Sequence, residues 1–273
     1  MSQLSSPIKV AVFGAGGQMG IAVCKAVVAD SQLQLTKALD PRLAGIDLGH
    51  ATSILDTGIV VDGQREAITH GEVDVAIDFT EASACFENAL YCANAGIHMV
   101  IGTTGLSDSQ IDQLRSAFED SEANCLIAPN FAIGAILMMK FSEMAARFFD
   151  SAEVVELHHN RKVDAPSGTA LATASRIANA TGVNFEADPT KKELDGARGH
   201  RYQGGVNIHS LRVAGMVAHQ EVIFGTTGQT LTIRHDSYDR TSFMPGVIMA
   251  VKAIFDLDGL VIGLDSIVDG ILG

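Results

Sequence analysis

Residues 153–170 read EVVELHHNRKVDAPSGTA and concentrate proton-bearing and cationic side chains in a chain whose formal net charge is −13. His158 and His159 are adjacent, Lys162 follows, and Asp164-Ala165-Pro166 leads into Ser167-Gly168-Thr169. Imidazole titrates at about pH 6.5, so a histidine can give or take a proton near neutrality. Side chains alternate along a strand. Two neighbouring histidines at a strand end are therefore expected to face opposite sides and to do different work, unless the backbone turns between them. Pro166 disfavours helix at Ala165, so a helix can start at Ser167. Unpaired N–H groups of Gly168 and Thr169 at that start form an anion site, and Gly168 removes a side chain that would block the approach. Such a strand end suits a small carboxylate-bearing substrate and supplies it with proton donors.

A second constellation is GAGGQMG at 14–20, after the apolar run IKVAVF at 8–13. A glycine-rich turn between strand and helix lets the backbone approach a pyrophosphate, which the helix N-terminus stabilises. Gly14, Ala15, Gly16, Gly17, Gln18 and Met19 are the candidate contacts. The G-x-G-x-x-G pattern is imperfect, since its third glycine would fall at Met19 and Gly20 comes one place late; a purely structural turn fits as well. Asp40 closes the next strand, where an acid accepts hydrogen bonds from adenosine ribose hydroxyls. That role favours NADH, because a carboxylate repels a 2′-phosphate. Arg42 either offsets the repulsion and admits NADPH or is a solvated surface side chain. Gly102-Thr103-Thr104 and Ala128-Pro129-Asn130-Phe131 end two further strands. In open α/β folds ligands lie across such ends, so each is a candidate wall for the nicotinamide ribose and ring, and equally an ordinary loop.

The elements that must position these residues follow from periodicity. LQLTKALD at 33–40 and VDVAIDFT at 73–80 read as strands, and 81–96 as a helix closed by Gly96. HMVIGTTG at 98–105 is strand plus turn. Ser107 and Gln110 form a capping box for a helix through Phe118, and 124–131 is another strand. This alternation predicts an α/β protein with a Rossmann-like, doubly wound parallel sheet at its N-terminus. The stretch 41–72 reads as loop, a short helix and a strand at 59–61. After Asn130 come a long apolar helix at 133–149, a strand through His159, a helix from Ser167 to Ala180 closed by Gly182, and strand-like runs over 204–236 with a turn at 225–228. These predict a second, α+β domain with a mixed sheet. An apolar helix at 243–257 is expected to return to the first domain. The expected division is 1–130 with 240–273 for the dinucleotide and 131–239 for the substrate.

Composition bounds the function. A chain of 273 residues suggests two domains. Its 47% hydrophobic and 19% charged residues allow a sizeable core and argue against disorder. The acidic balance argues against nucleic acid or an anionic membrane surface, though not against a small anionic ligand. No apolar run reaches about 18 residues, so no membrane span is expected. MSQLSSPIK lacks the character of a leader, which suggests a cytoplasmic protein. Cys24, Cys85, Cys92 and Cys125 form no CxxC pair and no metal-ligand spacing with histidine, so buried reduced thiols and no metal are expected. Three other readings of these two constellations stand beside a dinucleotide-dependent enzyme acting on a carboxylate. An amino-acid semialdehyde dehydrogenase would often need a nucleophilic cysteine, and Cys125 in its apolar strand reads as inert. A dinucleotide sensor explains residues 8–131 but not His158, His159 and Lys162. A metal hydrolase would need the adjacent histidines to converge.

The segment 153–170 resembles the signature of the 4-hydroxy-tetrahydrodipicolinate reductase (dihydrodipicolinate reductase) family without departure. The similarity extends over nearly the whole chain through GAGGQMG, IDFT at 77–80, IGTTG at 101–105 and APNF at 128–131. The resemblance implies NAD(P)H-dependent reduction of 4-hydroxy-tetrahydrodipicolinate, or its dehydrated form, to tetrahydrodipicolinate in diaminopimelate and lysine biosynthesis. It implies a homotetramer built through the sheet of the substrate domain. His158 takes the role of proton donor or acceptor and Lys162 that of proton donor, while His159, Gly168 and Thr169 bind the substrate carboxylates. Cofactor contacts fall on residues 14–19, Asp40, 102–104 and 128–131. Some members carry arginine where Gln18 and Pro41 stand here. The loss of those charges shifts the expectation from NADPH toward NADH or dual use.

Overall fold

The computed structural model describes residues 6–53, 57–182, 184–185 and 188–272. Residues 1–5, within the segment read as lacking a leader, and 54–56, within the stretch 41–72, lie outside the described residues. The chain forms two compact units: one runs to Phe131 and resumes at Phe243, and the other is Ala132–Ser242.

The first unit begins with β1 (Ile8–Phe13), α1 (Gln18–Ala29), β2 (Leu33–Leu39), α2 (Leu48–Thr52), β3 (Val75–Asp78), α3 (Ala82–Ala95), β4 (His98–Ile101), α4 (Asp108–Glu119) and β5 (Cys125–Ile127). The second unit contains α5 (Ile133–Ala145), β6 (Ser151–His158), α6 (Gly168–Thr181), β7 (His200–Arg201), β8 (Asn207–Arg212), β9 (Ala218–Thr226) and β10 (Gln229–Ser237). The chain then adds α7 (Met244–Ala253), β11 (Leu260–Ile262) and α8 (Asp265–Leu272) to the first unit.

The first sheet has the order β11-β5-β4-β3-β1-β2 and is parallel throughout. Its strands are covered on both faces, which is why they read as continuous apolar runs. Alternate residues Ala11 and Phe13 of β1 and Met99 and Ile101 of β4 join a core with Cys85, Cys92, Leu114 and Phe118 of α3 and α4. On the other side α1 packs on β1 and β2 and against α7. The chain leaves β1 for β2 on one side and later places β3 on the other. This strand-order reversal is where open α/β sheets accept ligands.

Several expectations are corrected. The apolar segment 243–257 is a shorter helix, α7, followed by a 3-10 turn at Ile254–Asp256. The helix read at 133–149 ends at Ala145, and a 3-10 turn follows at Ala146–Phe148. Residues 59–61 form no strand, only an isolated bridge of Val60 with Asp47, and the next residue, Asp62, bridges Leu39. β11 went unread because its three residues are too few to show a period.

The second unit carries a mixed sheet ordered β10-β9-β6-β8-β7, in which β6 and β8 are parallel and the other pairs antiparallel. α6 packs on β6 and β8, and α5 on β10. Along β6, Ala152, Val154 and Glu156 are buried while Glu153, Val155 and Leu157 are only partly covered, the alternation of a sheet with one packed face. The β9–β10 hairpin closes with Thr226 opposite Gln229, and Gly228 takes a φ of +79° in the turn.

Candidate active site

The glycine turn sits at the carboxyl end of β1. Gly14 adopts a φ of +74°, and its N–H and that of Ala15 donate to the Leu39 carbonyl at 2.8 and 3.1 Å. The Gly17 N–H turns back to the Gly14 carbonyl at 2.9 Å and opens α1. A Cβ on Gly20 would lie 2.0 Å from the Gly14 carbonyl oxygen. Gly20 therefore fills the place sought at Met19, and the working spacing is Gly14, Gly17, Gly20, because α1 must press its first turn onto this loop. Gly17 caps α1 without a side-chain hydrogen bond, and the first turn holds no acidic residue. An uncapped, uncharged helix start with exposed Gln18 fits a bound pyrophosphate.

Asp40, at the end of β2, is only 2% exposed. One carboxylate oxygen accepts from the Gly16 N–H and from Arg42 Nη2, both at 3.1 Å. The other accepts from the Arg42 N–H at 3.0 Å and Arg42 Nε at 3.1 Å. Burial works to raise the Asp40 pKa, but the hydrogen bonds and charge of Arg42 outweigh it and hold the carboxyl below its usual range. Arg42 is thus an exposed side chain, 76% accessible, whose guanidinium and N–H are paired with both oxygens of Asp40.

The loops at 102–104 and 128–131 end β4 and β5. Thr103 is buried, and its hydroxyl donates to Asp78 at 2.8 Å. Asp78, fully buried at the end of β3, also accepts from the N–H and hydroxyl of Thr80 at 2.8 and 2.7 Å and from Asn88 Nδ2 at 2.9 Å. One carboxylate thus fixes the loops after β3 and β4, which explains IDFT physically. Thr103 serves this network through its side chain, while Thr104 is exposed. Gly102 is required because a Cβ there would meet the Phe79 ring at 2.0 Å, and that ring lies 5.8 Å from the Phe131 ring. Ala128 and Phe131 are buried, Asn130 is half-buried and Pro129 is exposed. The residues expected to hold a dinucleotide therefore gather at the carboxyl ends of β1, β2, β4 and β5.

In the second unit, His158 is the last residue of β6 and His159 the first beyond it. His158 Nδ1 is hydrogen-bonded to Glu156, two residues earlier on the same face and fully buried. Glu156 also accepts from Arg212 Nη1 and Nη2 at 3.0 and 2.9 Å and from the Ser167 N–H at 3.3 Å. Arg212 stands beside His158 in the parallel β6–β8 register and donates a further bond to the Asp164 carbonyl at 2.6 Å. Burial tends to raise the Glu156 pKa; hydrogen bonds from Arg212, Ser210 and His158 outweigh it and hold the carboxyl below its usual range. Desolvation lowers the His158 pKa, Glu156 partly restores it, and the charges of Lys162 and Arg212 lower it further.

The turn after His159 is closed by the Lys162 N–H on the His159 carbonyl at 3.1 Å. The Lys162 ammonium pairs with Asp164 at 2.8 Å. The Ala165–Pro166 peptide bond is cis. Ser167 caps α6, its hydroxyl accepting the Ala170 N–H at 3.2 Å, and the first intrahelical bond runs from the Leu171 N–H to the Ser167 carbonyl at 3.0 Å. The N–H groups of Gly168 and Thr169 precede that bond. A Cβ on Gly168 would meet no protein atom within 4 Å, so space for a ligand lies against the helix start. Nδ1 of His159 is buried without a hydrogen-bond partner. The tautomer protonated on Nε2 avoids a buried unpaired donor there and leaves His159 a donor at its other nitrogen. The two histidines have different surroundings, and His159 lies beyond the end of β6.

Glu156 and Arg212 were not among the sequence-level candidates. Glu156 was readable, since it shares a strand face with His158; Arg212 was not, because its approach depends on a parallel pairing that brings it to a carboxylate 56 residues earlier in the chain. Among the described residues no group of three or more histidine, cysteine, aspartate or glutamate side chains is placed to hold a metal ion. No described helix is long and apolar enough to cross a membrane. All four cysteines are buried; burial pushes the Cys24 thiol up to about 12 and that of Cys125 well above its usual value, so Cys125 is not an activated nucleophile.

Residues 8–131 match the family model described as dihydrodipicolinate reductase, N-terminus, and residues 134–268 the one described as dihydrodipicolinate reductase, C-terminus. The chain is 48% identical over 266 residues to the 4-hydroxy-tetrahydrodipicolinate reductase of Nocardia farcinica, covering 96% of this chain and 99% of that one. It is 47% identical over 264 residues to the protein of the same name from Cutibacterium acnes, covering 95% and 98%. The dipicolinate-bound dihydrodipicolinate reductase from Paenisporosarcina sp. TG-14 shares the fold with a TM-score of 0.84 at 39% identity, covering 95% of this chain and 99% of that one.

Proposed function

The chain belongs to the dihydrodipicolinate reductase family, and from that premise we propose a residue-level account of how it reduces 4-hydroxy-tetrahydrodipicolinate, or its dehydrated form, to tetrahydrodipicolinate. It is an NAD(P)H-dependent oxidoreductase of diaminopimelate and lysine biosynthesis, and we place it in the cytoplasm. When bound, the reduced nicotinamide supplies hydride to C4 of the substrate. The first unit carries the dinucleotide role through Gly14, Ala15, Gly16, Gly17, Gln18, Met19, Asp40, Gly102, Thr103, Thr104 and the segment Ala128, Pro129, Asn130, Phe131. Gly102 and Thr103 act by shaping their loop, and their backbone rather than the Thr103 hydroxyl faces the cofactor role.

The second unit carries the substrate role. His159, through Nε2–H, and the N–H groups of Gly168 and Thr169 bind the two carboxylates. His158 or Lys162 delivers the proton to C3 after the 4-hydroxyl has left as water. Asp164 holds Lys162 until an anionic substrate competes for the ammonium. The observation that carries this reading is the gathering of two differently held imidazoles, an ammonium and an open helix start at one end of the second sheet. The test is an absorbance assay of NADH oxidation with freshly generated substrate. Substrate-dependent oxidation is expected; none with either cofactor would overturn the reading.

NADH is the preferred cofactor. Asp40 repels a 2′-phosphate, and Gln18 and Pro41 bring no charge to offset it. Arg42 is a nearby cation that moderates the preference, so NADPH is used less well rather than refused. The subunit assembles as a homotetramer through the less covered face of the second sheet, where Val155, Leu157, Leu211 and Ile223 lie among ion pairs such as Arg234–Glu221.

A further inference from the structure

We propose that Glu156 is a positioning residue for the reduction, holding His158 with its proton on Nδ1 and so aiming Nε2 as the working nitrogen, while tying the same ring to the start of α6. This rests on the role given to His158 above and deepens it. Glu156 is 0% exposed and lies at the meeting point of three elements. From β6 it takes the His158 ring, from β8 the Arg212 guanidinium, and from α6 the Ser167 N–H. A carboxylate accepts and does not donate, so its partner nitrogen on His158 must carry the proton. Nε2 is then the nitrogen left to exchange a proton with a ligand. Arg212 sets the sign of the arrangement. A lone buried carboxylate would cost much to leave charged, and the two-pronged guanidinium keeps it ionised.

The charge pattern also limits how strongly Glu156 can hold an imidazolium. Lys162 and Arg212 both act on His158 against Glu156. With Nδ1–H held by Glu156, the proton given to a substrate carbon is the one that Nε2 carries in the imidazolium. Its loss leaves the neutral ring protonated on Nδ1, and the two neighbouring cations favour that loss. Arg212 further bonds the Asp164 carbonyl, and Asp164 pairs with Lys162. One carboxylate thus coordinates both candidate acids and the anion-binding helix start, and none of these links requires Glu156 to touch substrate.

The test is Glu156→Gln, which keeps shape and removes charge and can donate as well as accept at His158. The expected result is a kcat lower by between about 10- and 10⁴-fold, the upper bound being what a wrong tautomer costs in a comparable carboxylate–histidine pair. KM for the dicarboxylate should change by less than about threefold, and the limb of the pH–kcat profile that reports His158 should shift. A purely structural role would not move that limb. An unchanged kcat with an unshifted profile overturns the proposal. A nitrogen-15 spectrum of the wild-type imidazoles, with His158 assigned by its loss in His158→Gln, decides independently of folding or turnover in the variant. A proton on Nδ1 supports the proposal and a bare Nδ1 overturns it. An inactive wild type with Nδ1 protonated would instead count against the reductase reading alone.

Discussion

Asp40 and Arg42, two residues apart, carry the proposed cofactor preference. Arg42 fills all the acceptor capacity of Asp40 that the Gly16 N–H leaves. A ribose must displace it, and a 2′-phosphate can use the displaced cation. Arg42→Ala is therefore expected to lower kcat/KM for NADPH several-fold while leaving that for NADH within about twofold; steady-state kinetics with both cofactors checks this, and parallel losses would contradict it. Gly20 makes a different demand. The methyl of Gly20→Ala would overlap the Gly14 carbonyl, and overpacking of this kind costs about 1–3 kcal/mol. We expect a lower denaturation midpoint together with weaker NADH binding by fluorescence titration, because the strain falls on the loop proposed to meet the pyrophosphate.

At the scale of elements, much was legible because the first sheet advertises itself. Strands buried on both faces read as apolar runs, Gly96 marks a helix end with a φ of +68°, and Ser107 with Gln110 forms the capping box that the sequence announces. The start of α6 was legible from Pro166 and Ser167. What escaped was long-range or short. β11 has three residues, Arg212 reaches Glu156 only through the β6–β8 pairing, and the role of Gly20 appears only when α1 is laid against its loop. The cap of α6 offers a prediction of its own. Ser167→Ala removes the acceptor for the Ala170 N–H and should lower stability by about 1 kcal/mol, with dicarboxylate affinity weakened as the helix start loosens. Urea unfolding and calorimetric titration with dipicolinate read the two effects separately.

At the scale of the whole molecule, the buried and half-buried carboxylates set the response to acid. Burial tends to raise Asp30, Asp40, Glu153 and Glu156, but bonds from Lys252, Arg42, Arg198 and Arg212 respectively outweigh it, and each is held below its usual value. A carboxyl depressed in the folded chain contributes stability that is fully present above its unfolded pKa and is lost as pH falls through the folded one. Burial holds His98, His158 and His235 below the usual imidazole value. Stability should therefore already decline as pH falls from about pH 7 through the histidine range and fall further below about pH 4; urea midpoints across that range check it, and a midpoint unchanged down to about pH 3 would contradict it. The proposed tetramer makes a separate demand. Leu157→Asp, on the less covered face of the second sheet, should sediment as a smaller species than the wild type.

The account turns on proton delivery from the 158–162 segment to a bound dicarboxylate, so the most direct measurement is kcat in His158→Gln and Lys162→Met alongside the dipicolinate dissociation constant of each. A fall in kcat of about 10²–10⁴ in at least one variant, with dipicolinate still bound within about tenfold of wild type, is the predicted result. Turnover undiminished in both would contradict it.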